Sequence, residues 1–299
     1  MKKITFAMLI FTAFSINIIT ANAYTLKKAE LEKINQEISE QGTNELINLY
    51  NEQNFILGPQ WFDENGKLLP VKIIDVKYVE TSTFVSSKND LLNIIKEKEI
   101  TASDYQNWTA KQTKESCPPG FYNECWETTA KRVFIAYHTY PSGKEAISVI
   151  NQWKTMPLIR SFDTIGMVFN NFEMTSYYGT QWYNTKENQE YQSINYSYGS
   201  PNIKISNSTQ KGISISQNIV DDTYNYLQND LYVYGKKSEN LQVAGSYQHA
   251  VKNIDLATSK NFTFDAWGMG KVFNWNTSWS NWDNMQGVCI NWSPYLWTC

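Results

Sequence analysis

The sequence predicts a mainly β protein: an antiparallel β-sandwich with Greek-key-like connections and a small N-terminal α+β lobe. From residue 131 onward, short apolar and aromatic segments recur at intervals of about ten residues, with polar turns between them. Apolar and polar residues alternate within those segments, as in antiparallel sheets that bury one face and expose the other. Helical patterns nearly disappear from that part of the chain, which disfavours a βαβ arrangement.

The first 23 residues have the features of a secretory signal peptide. Lys2 and Lys3 precede a mostly apolar stretch over 4–19, and Ala21-Asn22-Ala23 supplies the small residues of a cleavage site. Polar residues interrupt the apolar stretch, whereas a membrane-crossing helix needs about 20 predominantly apolar residues. We therefore expect a leader of bacterial style that is cleaved near Ala23. The mature protein is then secreted (extracellular) and has no transmembrane helix.

After the leader, composition and the pattern of apolar residues divide the chain into three regions. These are a small α+β N-terminal lobe over 24–110, a disulfide-containing linker over 111–130, and the β-sandwich domain over 131–299, whose C-terminal end is rich in tryptophan. In the lobe, the pattern predicts a helix over 26–40, a strand over 71–79 and a short helix over 89–99 capped by Asn89. An offset in the apolar positions of the strand indicates either a bulge or burial of both faces of the strand.

The sandwich domain is predicted to consist of eleven strands. They lie over 132–140, 146–153, 159–169, 173–183, 193–198, 203–206, 212–220, 230–234, 241–249, 261–267 and 270–279. The alternation is most regular in the middle of the domain, where Ile213 and Ile215 share one face with Ile219 across an offset. These isoleucines are expected in the core.

Four cysteines lie in the mature chain: Cys117, Cys125, Cys289 and Cys299. An even number in an exported protein favours disulfides, and three pairings are possible. We favour the two local pairs, Cys117–Cys125 and Cys289–Cys299. The spacings do not fit those of a zinc site, so we expect neither a metal nor another cofactor.

Composition excludes one class of partner. The chain has 26 Lys and Arg against 29 Asp and Glu, a formal net charge of −3. No basic stripe is present, and we therefore expect no nucleic-acid partner.

Candidate catalytic residues are few. His138 lies inside a predicted strand and His249 ends another, and neither belongs to a hydrolase or metalloprotease motif. Both are expected to be structural, although Ser246-Tyr247-Gln248-His249 is the first segment to test if activity is found. Asp163 interrupts an apolar strand. A buried carboxyl is costly unless it is paired, so such a residue is either structural or catalytic.

The C-terminal end carries the distinctive pattern of this sequence. Six of the eleven tryptophans lie in the last 33 residues. Large residues at odd positions of 273–279 predict a strand with one aromatic face, so Trp267 and Trp275 are expected in the core. Trp282, Trp292 and Trp297 are equally compatible with core and surface. Together with Asp283 they form the candidate ligand-binding residues, because exposed aromatic clusters mark binding sites.

Three functional classes fit these observations. The favoured one is a secreted, non-catalytic binding or interaction protein that contacts carbohydrate or cell-surface material through its C-terminal aromatics. A second is a protein similar to β-pore-forming toxins, with 193–220 as the insertable hairpin. A third is a secreted hydrolase of surface polymers, for which Asp265 and Asp283 stand near tryptophans. An enzyme is the less favoured interpretation. The sequence does not determine the oligomeric state.

Overall fold

The architecture is a folded antiparallel sheet. The computed structural model describes residues 56–58, 61–63, 65–85, 92–108, 125–207, 211–268, 271–276 and 279–291. The predicted helix over 26–40 and the cysteine-bracketed linker loop lie outside these residues. Twelve strands and two short helices are described: β1 Val71–Val85, β2 Leu92–Ile100, α1 Ala102–Gln106, β3 Cys125–Thr139, β4 Glu145–Trp153, β5 Phe162–Thr185, β6 Gln192–Tyr196, β7 Ile203–Asn207, β8 Lys211–Asn218, β9 Thr223–Gln248, α2 Leu256–Ser259, β10 Phe262–Gly268, β11 Lys271–Trp275 and β12 Gln286–Asn291. The predicted mainly β, antiparallel fold is confirmed.

Two long strands organise the molecule. β5 and β9 pair with each other along most of their length, and each has different outer neighbours in its two halves. The half of β9 over 227–235 pairs with β4, and the half over 242–247 pairs with β12. β5 pairs with β8 through its first half and with β6 through its second. The ten-stranded sheet therefore consists of two parts that share the paired strands β5 and β9, which we call the shared ribbon.

The shared ribbon bends at its middle. The β5–β9 register shifts between Asn170 and Phe172 and again between Met174 and Ser176. Asn171 and Asn240 both have positive φ, of 58° and 60°, in the left-handed region that asparagine tolerates better than most residues. The Asn171 side-chain amide donates to the Asn240 carbonyl at 3.1 Å. These contacts and bulges fold each long strand back, so that the two parts of the sheet face each other.

We call the two parts layer 1 and layer 2. Layer 1 contains β2, β1, β3, β4, the first half of β9, the second half of β5, and β6, and layer 2 contains β12, the second half of β9, the first half of β5, β8 and β7. A Cβ atom built on Gly245 in layer 2 would lie 2.3 Å from a methyl carbon of Val149 in layer 1, so the two layers are in close contact. The main core lies between them and includes Val133 and Ile147 from layer 1 with Ile213 and Ile215 from layer 2.

Each layer is also covered on its outer face. The segment 56–69 packs on layer 1, where Leu57, Trp61 and Leu68 surround Phe134 and Tyr232. The β10–β11 hairpin packs on layer 2 and forms a third core with β9 and the chain around residue 282. In the described part of the chain, apolar clusters therefore lie between the two layers and on the outer face of each layer.

Several predicted elements differ from the structure. The predicted helix over 89–99 is wrong, because β2 is a strand that pairs with β1 over 92–100. The Thr81 hydroxyl donates to Glu97 at 3.0 Å and Lys98 pairs with Glu80 at 2.9 Å, so pairing with β1 overrides the helical tendency of the Lys- and Glu-rich stretch. The predicted bulge in β1 is confirmed between Ile73 and Asp75. β1 joins the same sheet as β3, and the predicted division of the chain into regions stays a prediction.

Candidate functional site

The C-terminal aromatic segment lies on the outer face of layer 2. Phe262 of β10 pairs with Trp275 of β11, and their rings lie 5.0 Å apart between centroids. Trp275 is 5% exposed, as expected for the buried face of this hairpin. Trp267 lies on β10, but its side chain is outside the described residues, so its expected burial in the core stays a prediction.

Trp282 belongs to the core beneath this hairpin. Its ring stacks on Trp275 with centroids 3.8 Å apart and planes inclined by 25°, and only 4% of the residue is exposed. Its backbone forms an isolated bridge with Ala250. This burial means that Trp282 supports the surface above it and does not itself face the solvent. The ligand-binding role expected for Trp282 from the sequence stays a prediction.

Asp283 anchors the chain directly after this stack. Its carboxylate pairs with the ammonium of Lys131 on β3, and both side chains are almost fully buried. The second carboxylate oxygen accepts from the His249 backbone N–H at 2.8 Å. Burial raises the pKa of Asp283 to about 6, and the charge of Lys131 opposes that rise. Asp283 therefore holds this loop against both β3 and the end of β9.

Asp163 is the centre of the neighbouring polar cluster. The Tyr247 hydroxyl donates to it, the Ala250 backbone N–H donates at 3.0 Å, and Nδ1 of His249 lies 2.8 Å from Oδ1. The Trp153 indole N–H donates to Tyr247 at 3.0 Å. These bonds satisfy a carboxylate that the sequence left without a partner.

This polar cluster connects strands and loops that are distant in sequence. Its members are Lys131, Trp153, Asp163, Tyr247, His249 and Asp283. The sequence points to Asp163 as a charged residue inside an apolar strand and to the 246–249 segment as a polar stretch on a predicted strand. It contains no such signal for Lys131, because a single lysine before a strand does not indicate burial. Each carboxylate already accepts several internal hydrogen bonds, so the arrangement favours fixing the backbone over activating a substrate.

His138 lies in a different part of the interior. It is fully buried, and its Nε2 lies 2.9 Å from the Ser148 hydroxyl. Desolvation lowers its pKa to about 3, so the ring is neutral at ordinary pH. His138 and His249 lie in separate clusters. The described residues contain no group of three or more His, Cys, Asp or Glu side chains placed to hold a metal ion.

A third buried carboxyl, Asp230, lies on the outer face of layer 1. Asp230 of β9 accepts from the Trp182 indole N–H at 3.0 Å and from the Gln228 amide at 3.0 Å. The same Gln228 amide donates to the Ile56 carbonyl at 3.1 Å, so this group helps to fix the N-terminal covering segment. Desolvation raises the pKa of Asp230 to about 8.

Among the described side chains of this region, Trp279 is the large aromatic that faces the solvent. It begins a short 3₁₀ turn, Trp279–Asn281, and 53% of the residue is exposed. Its carbonyl accepts from the Trp282 backbone N–H at 3.1 Å, which ties the exposed residue to the stack below. The Lys252 ammonium donates to the hydroxyl of the next residue, Ser280, at 3.0 Å. The exposed residue is thus fixed through its backbone, and the cation of Lys252 contacts the residue that follows it.

The remaining predicted site residues have no described side chains. Trp292, Trp297 and Cys299 lie outside the described residues, and so do the side chains of Cys117 and Cys125. Cys289 lies on β12, and its backbone N–H donates to Asp75 at 3.0 Å. The predicted cysteine pairs therefore stay a prediction. Among the residues that the structure describes, no helix has the length and apolarity to span a bilayer.

Comparison with known proteins assigns no family to this chain. No protein-family model and no curated protein matches it. Eight chains of solved structures show weak similarity. One is the enzymatically active domain of bacteriophage CBA120 tailspike protein 4, at 10% identity and a TM-score of 0.21, where the match covers 46% of this chain and 16% of that one. Another is the C-terminal domain of the Streptococcus agalactiae AgI/II polypeptide BspA, at 6% identity and a TM-score of 0.23, covering 62% and 93%. At these scores, neither supports a conclusion about this chain.

Proposed function

We propose that this chain is a secreted, non-catalytic binding protein that contacts glycans or other cell-surface material through its C-terminal aromatic residues. The observation that carries the proposal is the exposure of Trp279, 53% of which faces the solvent although Trp275 and Trp282 beside it are buried. An indole combines an apolar ring face with a polar N–H, which suits the mixed surface of a sugar.

The support beneath Trp279 strengthens this proposal. Trp282 is stacked on Trp275, and the next residue, Asp283, is anchored by Lys131 and the His249 backbone N–H. A contact residue that is already held in place loses little conformational freedom when a ligand binds, so more of the interaction energy appears as affinity.

The buried polar cluster supports binding over catalysis. Asp163 and Asp283 accept hydrogen bonds from Tyr247, His249 and Lys131, and each of these groups is at most 5% exposed. Their polar atoms are engaged in holding strands together. Trp279 faces the solvent, whereas the side chains of this cluster are buried and cannot contact a large ligand.

The toxin-like alternative requires a larger rearrangement. β8, which lies in the segment 193–220, runs between β5 and β7 and places Ile213 and Ile215 in the main core. Inserting this segment into a membrane would remove that part of the core. Leakage of a dye from liposomes would support this alternative.

Binding of the purified mature protein to a glycan array tests the proposal. We expect binding that is lost in Trp279→Ala and retained in Tyr198→Ala, a matched control that removes another exposed aromatic, 89% of which faces the solvent. Trp279 contributes little to the core, so the variant should remain folded by circular dichroism. Equal binding by the wild type and Trp279→Ala would overturn the assignment of this surface.

A further inference from the structure

Lys252 lies directly beside the exposed tryptophan. The segment 250–252 runs along the 3₁₀ turn, because Ala250 forms a bridge with Trp282 and the Val251 backbone N–H donates to the Asn281 carbonyl at 2.9 Å. These backbone contacts place the Lys252 ammonium 3.0 Å from the Ser280 hydroxyl. Trp279 and Ser280 are consecutive, so their Cα atoms are about 3.8 Å apart. The cation therefore lies against the residue that directly follows the exposed tryptophan.

The charge of Lys252 is not balanced by a carboxylate. Its partner is a hydroxyl oxygen, and no carboxylate among the described residues pairs with it. Other lysines are paired: Lys98 lies 2.9 Å from Glu80, and Lys131 is bound to Asp283. The nearby Asp255 carboxylate accepts from the Thr258 backbone N–H, at the start of α2. Lys252 thus supplies a positive charge beside the 3₁₀ turn, and that charge has no carboxylate within ion-pair distance among the described residues.

We propose that this surface binds an acidic glycan, one whose sugars carry a carboxylate, with the sugar ring against Trp279 and the carboxylate on Lys252. This inference rests on the proposed function and names the chemical class of its ligand. A pyranose presents C–H groups from one face, which pack on an indole, and an equatorial carboxylate leaves the ring in its plane. A cation at the edge of the aromatic surface is placed to receive it, and the resulting hydrogen bond is charge-assisted.

The test compares acidic glycans with their carboxyl-reduced forms. Oligosaccharides of glucuronic acid, whose carboxylate is equatorial, are immobilised beside the same molecules in which each carboxylate has been reduced to a primary alcohol. We expect the wild type to bind the acidic forms about tenfold more tightly, which is the contribution of one charge-assisted hydrogen bond. Lys252→Gln should abolish this preference and leave binding of the reduced forms unchanged. Lys211→Gln, which alters an exposed lysine at the start of β8, should keep the preference.

The possible outcomes separate this inference from the proposed function. Binding that depends on Trp279 but does not distinguish acidic from reduced glycans overturns the acidic preference and leaves the binding function standing. A preference that survives in Lys252→Gln also overturns the inference. Failure to bind any glycan, or binding only to vesicles of anionic phospholipid, overturns both.

Raising NaCl from low to high concentration should weaken binding of the acidic forms alone, because salt screens the exposed charge pair.

Discussion

At the scale of single residues, the interior of this protein contains several buried carboxyl groups. Asp163, Asp230 and Asp283 are each at most 3% exposed. Isolated carboxylates are too costly to bury, so each has a different compensation. Asp163 accepts hydrogen bonds from a tyrosine, a histidine and the backbone, Asp283 pairs with Lys131, and Asp230 has amide and indole donors without a paired cation.

Asp230→Asn should make stability less sensitive to pH. Burial raises the pKa of this carboxyl from 3.8 to about 8, so at neutral pH the folded state holds a proton that the unfolded state has lost. The free energy of unfolding therefore falls as pH rises from about 4 through about 8. Asparagine preserves the neutral form. We expect Asp230→Asn to exceed the wild type in stability by at least about 1 kcal/mol at pH 9, and by less at pH 5.

Urea unfolding at pH 5, 7 and 9 measures this effect. Asp221→Asn, which changes an exposed carboxyl in the turn before β9, provides the matched control and should follow the wild type. Parallel pH profiles for the wild type and Asp230→Asn would contradict the assignment of a protonated Asp230.

At the scale of elements, the bent ribbon of β5 and β9 explains where the sequence-based strands departed from the structure. The pattern predicted separate strands over 159–169 and 173–183, and again over 230–234 and 241–249. Each pair is one strand with a bend. The interruptions in alternation at 170–175 and 236–240 are the bulges and the two left-handed asparagines, and not chain turns. A polar break in a strand looks the same in sequence whether the chain reverses or only bends.

Gly245→Ala should weaken the contact between the two layers. The added methyl group would lie 2.3 Å from a methyl carbon of Val149 on β4, so one strand must shift. We expect a loss of about 1–3 kcal/mol in the free energy of unfolding, the usual cost of overpacking a core. The Val149→Ala change removes the clashing methyl groups. The double variant should therefore be more stable than the sum of the two single losses predicts, by at least about 0.5 kcal/mol.

Thermal and urea unfolding of the two single variants and the double variant would measure this coupling. Additive losses would show that Gly245 and Val149 do not touch, and hence that the ribbon does not fold layer 2 onto layer 1 in this register.

At the scale of the whole molecule, the polar cluster connects parts that the chain visits far apart in sequence. Lys131 belongs to layer 1, Asp163 and His249 to layer 2, and Asp283 to the loop before β12. The Lys131–Asp283 pair spans 152 residues of sequence. It therefore fixes the C-terminal segment, and Trp279 with it, to the first layer of the sandwich.

Lys131→Met should destabilise the protein because it leaves a buried carboxylate without its cation. We expect a loss of about 3–5 kcal/mol at pH 7, measured by urea unfolding. The loss should be smaller at pH 5, because burial already raises the pKa of Asp283 to about 6 and removing the lysine favours protonation further. Adding Asp283→Asn should restore much of the stability. Equal stability of Lys131→Met and the wild type would argue against a buried ion pair at this position.

The sequence by itself determined the antiparallel β architecture and most of its strands, because the alternation of apolar and polar residues is a local property that survives without knowledge of neighbours. It also identified Asp163 as a charged residue inside an apolar strand and 246–249 as a polar stretch on a predicted strand. Only the tertiary structure decided that Asp163 meets His249, that Lys131 meets Asp283, and that Trp282 is buried under a surface on which Trp279 is exposed. These outcomes depend on where a bent ribbon and a covering hairpin bring distant residues together, and no local pattern records that placement.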